Sequence, residues 1–400
     1  MRRRGEERVK KGWKVALIAL GVVVALGLFV FFAILPGWYD RHVNQLIDNP
    51  PSPASGPAAA LHKRLAIVDL HADSLLWNRN LLKREAHGHV DLQRMEDGNM
   101  ALQVFSSVTK SPRGLNYERN SGDSDNITLL AIAQLQPIRT WGSLLERSLY
   151  HAEKLDRFAA KSDGRLRIIR TRADLDELLT ARAKGQPVSG GLLSIEGLHD
   201  LEGRFENLQK LYDAGYRMAS PTHFFDNEVA GSVHGIEKGG LTPLGRRVIH
   251  EMERLGMVVD VAHASHQTVA DVLAMATKPV VFSHGGVKGT CSTNRNLTDE
   301  EIRGIAATGG VISIGYWEAA VCDASVAGIA SAILYVRDLA GIDHVALGSD
   351  WDGAVTTVFD SSGVSALTAA LLNAGLSEED IAKIMGGNAI RVLRATLPQG

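Results

Sequence analysis

The sequence predicts an α/β protein, a (β/α)8 TIM barrel preceded by a single transmembrane helix. Three observations carry this. Short apolar runs alternate with amphipathic stretches from about residue 65 to the C-terminus. Eight such units occur in one run, the number that closes a parallel barrel. Ahead of them lies an uninterrupted apolar segment of spanning length. The competing fold is a doubly wound open sheet, which would normally place a Gly-rich nucleotide turn after its first strand. Here that strand ends in His71-Ala72-Asp73.

The N-terminal part reads in three steps. Residues 1–14 are a basic tail with seven Lys or Arg against two Glu, while the remainder carries 36 basic and 43 acidic residues. An acidic body excludes bulk phosphate neutralisation, so no nucleic-acid partner is expected. Residues 15–36 are the anchor: 15–35 is uncharged and strongly apolar, enough to cross a hydrocarbon core of roughly 30 Å. Trp13, Trp38 and Tyr39 flank it as interfacial rings. A cleaved signal peptide would show a shorter apolar region, roughly 7–15 residues, and a small-residue cleavage site. The expected topology is single-pass in the cell membrane, tail cytoplasmic and body extracytoplasmic, because the positive flank stays inside. Residues 37–59 are a linker, whose four prolines between Asn49 and Pro57 predict a semi-rigid extended spacer. The globular domain is 60–400.

Within it, strands are expected at 65–73, 101–107, 190–196, 216–223, 257–263, 279–284, 310–316 and 344–350. Helices are expected at 244–255, 268–276, 300–307, 329–339, 366–373 and 378–393. The charged insertion 109–188 adds helices outside or over the barrel. No solenoid-type repeat is present.

Chemistry concentrates where strands end. In order these ends carry His71 and Asp73, Glu196, His223, Asp260 and His263, His284, and Asp350. In a barrel all of them converge on one mouth. Imidazole nitrogen and carboxylate oxygen suit zinc, and also other divalent ions. His71 and Asp73, two apart on a strand, face the same side and can grip one metal. Glu196 can bridge two cations, and His263 and His284 can complete the second site. Two metals roughly 3.5–4 Å apart can share a bridging hydroxide as nucleophile. Asp350 is then free to act as general base and to protonate the leaving amine. A lone strand-end His is more often a structural residue than a ligand; the combined set carries the argument. His87 and His89 are expected in a loop, in surface or supporting roles. His344 belongs at the opposite face, and no pattern makes ligands of His199, His234 or His266. The two cysteines, Cys291 and Cys322, read either as buried thiols or as a bridge closing a loop of about 30 residues, worth roughly 3–4 kcal/mol.

These residues resemble the membrane dipeptidases, also called renal dipeptidases or dehydropeptidases. The matching pieces are Val68-Asp-Leu-His-Ala-Asp73, His89-Val-Asp-Leu92, Ser194-Ile-Glu-Gly197, Thr222-His223 with Asn227, Asp260-Val-Ala-His-Ala-Ser265, Phe282-Ser-His284, Arg295-Asn296, Gly348-Ser-Asp-Trp-Asp-Gly353 and Gly386-Gly-Asn388. The resemblance implies two Zn2+ per chain, one held by His71 and Asp73, the other by His263 and His284, with Glu196 bridging. It implies that His223 stabilises the tetrahedral oxyanion, that Arg295 pairs with the substrate α-carboxylate, and that Asp350 handles the proton and meets the substrate amine. It also implies a Cys291–Cys322 bridge that braces the carboxylate-binding loop. A tyrosine that binds the carboxylate in the family has no clear match, Tyr316 and Trp317 being displaced. Animal members are anchored by a C-terminal lipid, whereas the anchor here is N-terminal. The expected partners are a dipeptide and the lipid bilayer, with a homodimer left open. Two other readings stand: a binuclear hydrolase of another amide, lactone or N-acyl amino acid, and a catalytically silent, membrane-tethered binding protein.

Overall fold

The computed structural model describes residues 2–400, with side chains from Lys10 onward; the basic residues ahead of Lys10 therefore lie outside the side-chain description. Eight strands build the barrel: β1 Ile67–Ala72, β2 Met100–Val108, β3 Ser189–Glu196, β4 Tyr216–Ser220, β5 Val258–Val259, β6 Val281–Phe282, β7 Val311–Ile314 and β8 Val345–Leu347. All eight expected strands are present, and every pairing between them is parallel. They are ordered β5-β4-β3-β2-β1-β8-β7-β6. A single parallel bridge, Asp260 to Val281, links the two ends, so the barrel is nearly closed. The ladders of β4, β5 and β6 stop earlier than expected. The chain turns out of the sheet before His223, His263 and His284, which frees these side chains to aim at the mouth.

Valine 68, Leu102, Leu192, Met218, Val258, Val281, Val311 and Ala346, one from each strand, belong to one buried cluster. A cluster spanning all eight strands must fill the barrel interior, so the site rests on a packed apolar plug. The insertion contributes helices, chiefly Leu144–Ala160 and Arg172–Ala183, and an unexpected short strand, Leu166–Ile168. That strand pairs with Ser189–Gly191, below the point where β4 joins β3 at Leu193. The expected helix 378–393 is interrupted. Glu378–Ala382 passes through a π turn, Lys383–Gly387, into Asn388–Thr396. A Cβ on Gly386 would lie 1.9 Å from the Ala66 carbonyl oxygen, so only glycine allows this approach to the start of β1. Asn388 then donates to the Ile342 and Val345 carbonyls, both at 2.8 Å. The Gly-Gly-Asn piece therefore pins the base of the barrel.

The N-terminal helix runs from Arg2 to Phe29, through a π segment Val30–Ile34, into Leu35–Val43. Its stretch Lys10–Val43 is long and apolar enough to cross a membrane. The segment 37–59, expected as a Pro-rich linker, carries regular structure on both sides of its prolines. Residues 37–43 remain helical, Gln45–Leu46 pairs with Thr356–Thr357, and a helix starts at Gly56. The cause is Asp40, a buried carboxylate 3.0 Å from Arg79 and 3.0 Å from His87. A buried charge needs such partners, so Asp40 docks the helix exit on the barrel. Only the segment around residues 50–55 keeps the extended character of a spacer.

Candidate active site

The strand ends converge as the alternation pattern requires, with one refinement. The β1–β2 register shifts between Asp69 and Ala72, so a bulge rather than plain alternation re-aims His71 toward Asp73. The His71 Nε2 lies 3.4 Å from Asp73 Oδ1, 3.7 Å from Glu196 Oε2 and 3.8 Å from Asp350 Oδ1. The other Glu196 oxygen, Oε1, lies 2.8 Å from His263 Nε2, 3.2 Å from His284 Nε2 and 3.5 Å from His223 Nε2. Glu196 thus turns one oxygen to each half of the cluster. All these side chains are buried, and three overlapping sets have ligand atoms close enough to share a cation: His71, Asp73 and Glu196; Glu196, His223 and His263; His71, His284 and Asp350.

Two of these residues hold unusual backbone. His263 has φ 62° and Asp350 φ 61°, the left-handed region that costs a non-glycine residue on the order of 1 kcal/mol or more. The His263 conformation is fixed from outside: its carbonyl accepts from the Val233 amide at 2.9 Å and from the Thr222 and Ser232 hydroxyls, both at 3.2 Å. Supporting carboxylates orient the rest. Asp260 accepts from the Ser283 hydroxyl at 2.6 Å, and Ser283 Oγ lies 2.9 Å from His284 Nδ1. Asp69 accepts from the Ser349 amide and hydroxyl, both at 2.9 Å, which holds the turn into Asp350. Asp352 takes the Arg79 guanidinium at 2.7 Å and the His89 amide at 2.7 Å. His89 is fully buried beneath this loop, so of the two roles expected for it the supporting one holds. His87 is partly exposed against Asp40.

The electrostatics ask for positive charge. Burial raises the Glu196 carboxyl well above its ordinary value, and the neighbouring Asp73 and Asp350 charges raise it further. Burial likewise pushes Asp350 up to about 8, against the lowering pull of His71 and Arg295. Burial would lower His71, but Glu196, Asp73 and Asp350 together overturn it and lift the imidazole to about 10. His223, His263 and His284 are held well below the usual value, by burial first and by neighbouring imidazoles or Arg295 second. Neutral imidazoles, clustered carboxylates, and a His71 Nε2 and Asp73 Oδ1 that make no hydrogen bond among the described residues are the donor set that a divalent pair would satisfy.

Above this cluster lies a cavity of about 480 Å³. Arg295 enters it fully buried; its Nη2 donates to the His284 carbonyl at 2.7 Å, while Nε and Nη1 make no hydrogen bond among the described residues. The loop that carries it is tied by the Cys291–Cys322 disulfide, and Asn296 donates to the Cys291 and Ala320 carbonyls at 2.8 Å each. Tyrosine 117, which the sequence reading passed over, also lines the cavity, its hydroxyl 3.2 Å from Trp317 Nε1. It sits on the insertion, where no strand-end pattern points to it. Trp317 lines the cavity as well, whereas Tyr316 is buried against Trp351 and Phe359 and is not among the lining residues. His344 bonds the Gly310 carbonyl at 2.8 Å at the base of β8. His234 is packed against His263 without joining any of the three ligand sets.

Residues 57–398 match the family described as membrane dipeptidase, peptidase family M19. The dipeptidase aclJ of Aspergillus oryzae is 30% identical over 363 residues, covering 84% of this chain and 79% of that protein. The dipeptidase tcpJ of Claviceps purpurea is 30% identical over 345 residues, covering 84% of this chain and 74% of that protein. Among solved structures, the probable dipeptidase PvdM of Pseudomonas aeruginosa superposes with a TM-score of 0.72 at 20% identity, covering 85% of this chain and 97% of that one. A metallopeptidase of Rhodobacter sphaeroides, solved with a phosphinate mimic of L-Ala-D-Ala, gives 0.66 at 22% identity, covering 83% and 99%. With the barrel, the converging ligand sets and a match across the whole globular body, the chain belongs to the membrane dipeptidase family, peptidase family M19.

Proposed function

We propose that this dipeptidase holds two zinc ions and hydrolyses the peptide bond of dipeptides at the surface of the membrane that its N-terminal helix crosses. The observation that carries the site assignment is Glu196, whose two oxygens face separate ligand groups. His71 and Asp73 would hold one ion, His263 and His284 the other, with Glu196 between them. When bound, such a pair supplies Lewis-acid charge and makes water acidic enough to attack near neutral pH.

The chain's own groups do the rest. Arg295 binds the substrate α-carboxylate through the guanidinium N–H groups that the His284 carbonyl leaves free, as a fixed planar cation that Lys would not reproduce. His223, bordering both Glu196 and the cavity, is neutral and donates to the carbonyl oxygen as negative charge develops. Asp350 accepts the proton of the attacking water and returns it to the leaving amine as the C–N bond breaks. It also meets the free amine of the substrate. Fixing both a free carboxylate and a free amine measures substrate length and excludes longer peptides. The basic tail stays cytoplasmic and the barrel lies outside; a disulfide supports an oxidising compartment for the body.

The test is metal content and hydrolysis on one sample of the full chain in detergent. Two zinc ions per chain and chelator-sensitive cleavage of dipeptides, but not tripeptides, are expected. Two ions without dipeptide cleavage would redirect the site to other amides or esters.

A further inference from the structure

The catalytic cavity has a wall that the barrel does not supply. Phe31, Leu35, Pro36 and Tyr39 of the N-terminal helix line the same space as Glu196 and Arg295. Beside them stand Trp77, Val108, Ile127 and Leu130, with the Trp77 ring 6.0 Å from that of Tyr39. This side offers no charge to a substrate and is built from large apolar groups. It is also fixed. Asp40, one turn beyond Pro36, is buried against Arg79, and Arg79 reaches Asp352 two residues past Asp350. Asn44 accepts from the Ala354 amide at 2.9 Å, and Gln45–Leu46 joins Thr356–Thr357 as a strand. The helix exit therefore cannot swing away from the mouth without breaking buried ion pairs. Meanwhile Leu35 is 40% exposed and Phe31 is partly exposed. Both line the cavity and keep apolar surface that the barrel does not cover. A volume of about 480 Å³ leaves room beyond two small residues.

We infer that the N-terminal helix is a specificity element, forming one wall of a subsite that selects dipeptides with a bulky apolar side chain. This rests on the dipeptidase reading above and adds to it the class of dipeptide. Covering Phe31 and Leu35 removes apolar surface from water on both partners, a gain that a methyl side chain cannot match.

The experiment uses the full chain in lipid nanodiscs. The kcat/KM is measured for Leu-Leu and for Ala-Ala, in the wild type, in Phe31→Ala/Leu35→Ala, and in Ile34→Ala, whose side chain does not line the cavity. The wild type should favour Leu-Leu. The double variant should lower the Leu-Leu to Ala-Ala ratio on the order of tenfold, mostly through KM, while Ile34→Ala keeps the ratio. Leu35→Trp, which fills the space instead of emptying it, should also lower the ratio. Turnover of Ala-Ala with a ratio within twofold of wild type in both wall variants overturns the inference and leaves the dipeptidase reading standing. Absence of cleavage of either dipeptide by the wild type overturns both.

Discussion

The two sides of the cavity are made by different parts of the chain and by different physics. The floor is a cluster of buried carboxylates and imidazoles delivered by strand ends and held by supporting acids such as Asp260 and Asp69. The facing wall is apolar, and part of it comes from a helix whose other residues are long and hydrophobic enough to span a bilayer. The floor must be charged to hold cations and move protons. The wall only has to exclude water and give a side chain somewhere to go. Chemistry and selectivity are therefore separable here, and substitutions on each side should fail in different ways.

The largest effect belongs to the floor. Glu196→Ala removes the group that faces both ligand halves, so elemental analysis should find both ions lost and turnover abolished. Retention of two ions would contradict the bridging role. Asp350→Asn is next. It should keep the metal and lose roughly 10²–10⁴-fold in kcat, the range of a positioned acid–base group. Asp350 also shares a possible cation set with His71 and His284. Loss of an ion in that variant would make it a ligand instead.

How much of this could be read from the sequence follows the same division. Every floor residue stood at a predicted strand end, because the barrel's topology converts a one-dimensional position into a shared mouth. His71, Asp73, Glu196, His223, His263, His284 and Asp350 are now neighbours for that reason. The residues that hold them were harder to see. Asp69 sits inside a strand and looks like any polar residue there, and Asp260, counted among the strand-end residues, carried no assigned role. Their function depends on Ser349 and Ser283, whose proximity only the closed barrel creates. Tyr117 lies in a long insertion with no periodicity to place it. The wall was invisible for a stronger reason: an apolar segment of spanning length reads as lipid-facing throughout, and nothing in its composition marks Phe31 and Leu35 as cavity lining. The docking residue Asp40 looked like part of a linker because its partners, Arg79 and His87, lie some 40 residues on.

That docking gives the third test. Arg79→Met would leave Asp40 and Asp352 buried without their shared cation, and stability should fall by about 3–5 kcal/mol in denaturant titration. Asp40→Asn removes only one arm, because Arg79 keeps Asp352; it should cost about 1–3 kcal/mol. An undocked helix exit would make Asp40→Asn silent while Arg79→Met stayed costly. The pair of values therefore reports whether floor and wall are mechanically joined.

The smallest effect on turnover is expected at the disulfide, which supports the floor's polar edge and touches neither wall residue. Cys291→Ser/Cys322→Ser opens a loop of 31 residues, and the chain-entropy estimate puts the loss of stability at roughly 3–4 kcal/mol. The loop keeps other ties: Asn296 still donates to Ala320, and Thr293 still donates to the Ala319 carbonyl at 3.1 Å. Arg295 should therefore remain in place for most of the population, and the kinetic signature should be a raised KM with kcat nearly unchanged. The rise should be equal for Leu-Leu and Ala-Ala, because the substrate carboxylate is common to both. A change in the ratio of the two dipeptides would mean that the bridge also shapes the apolar side, and floor and wall would no longer be independent.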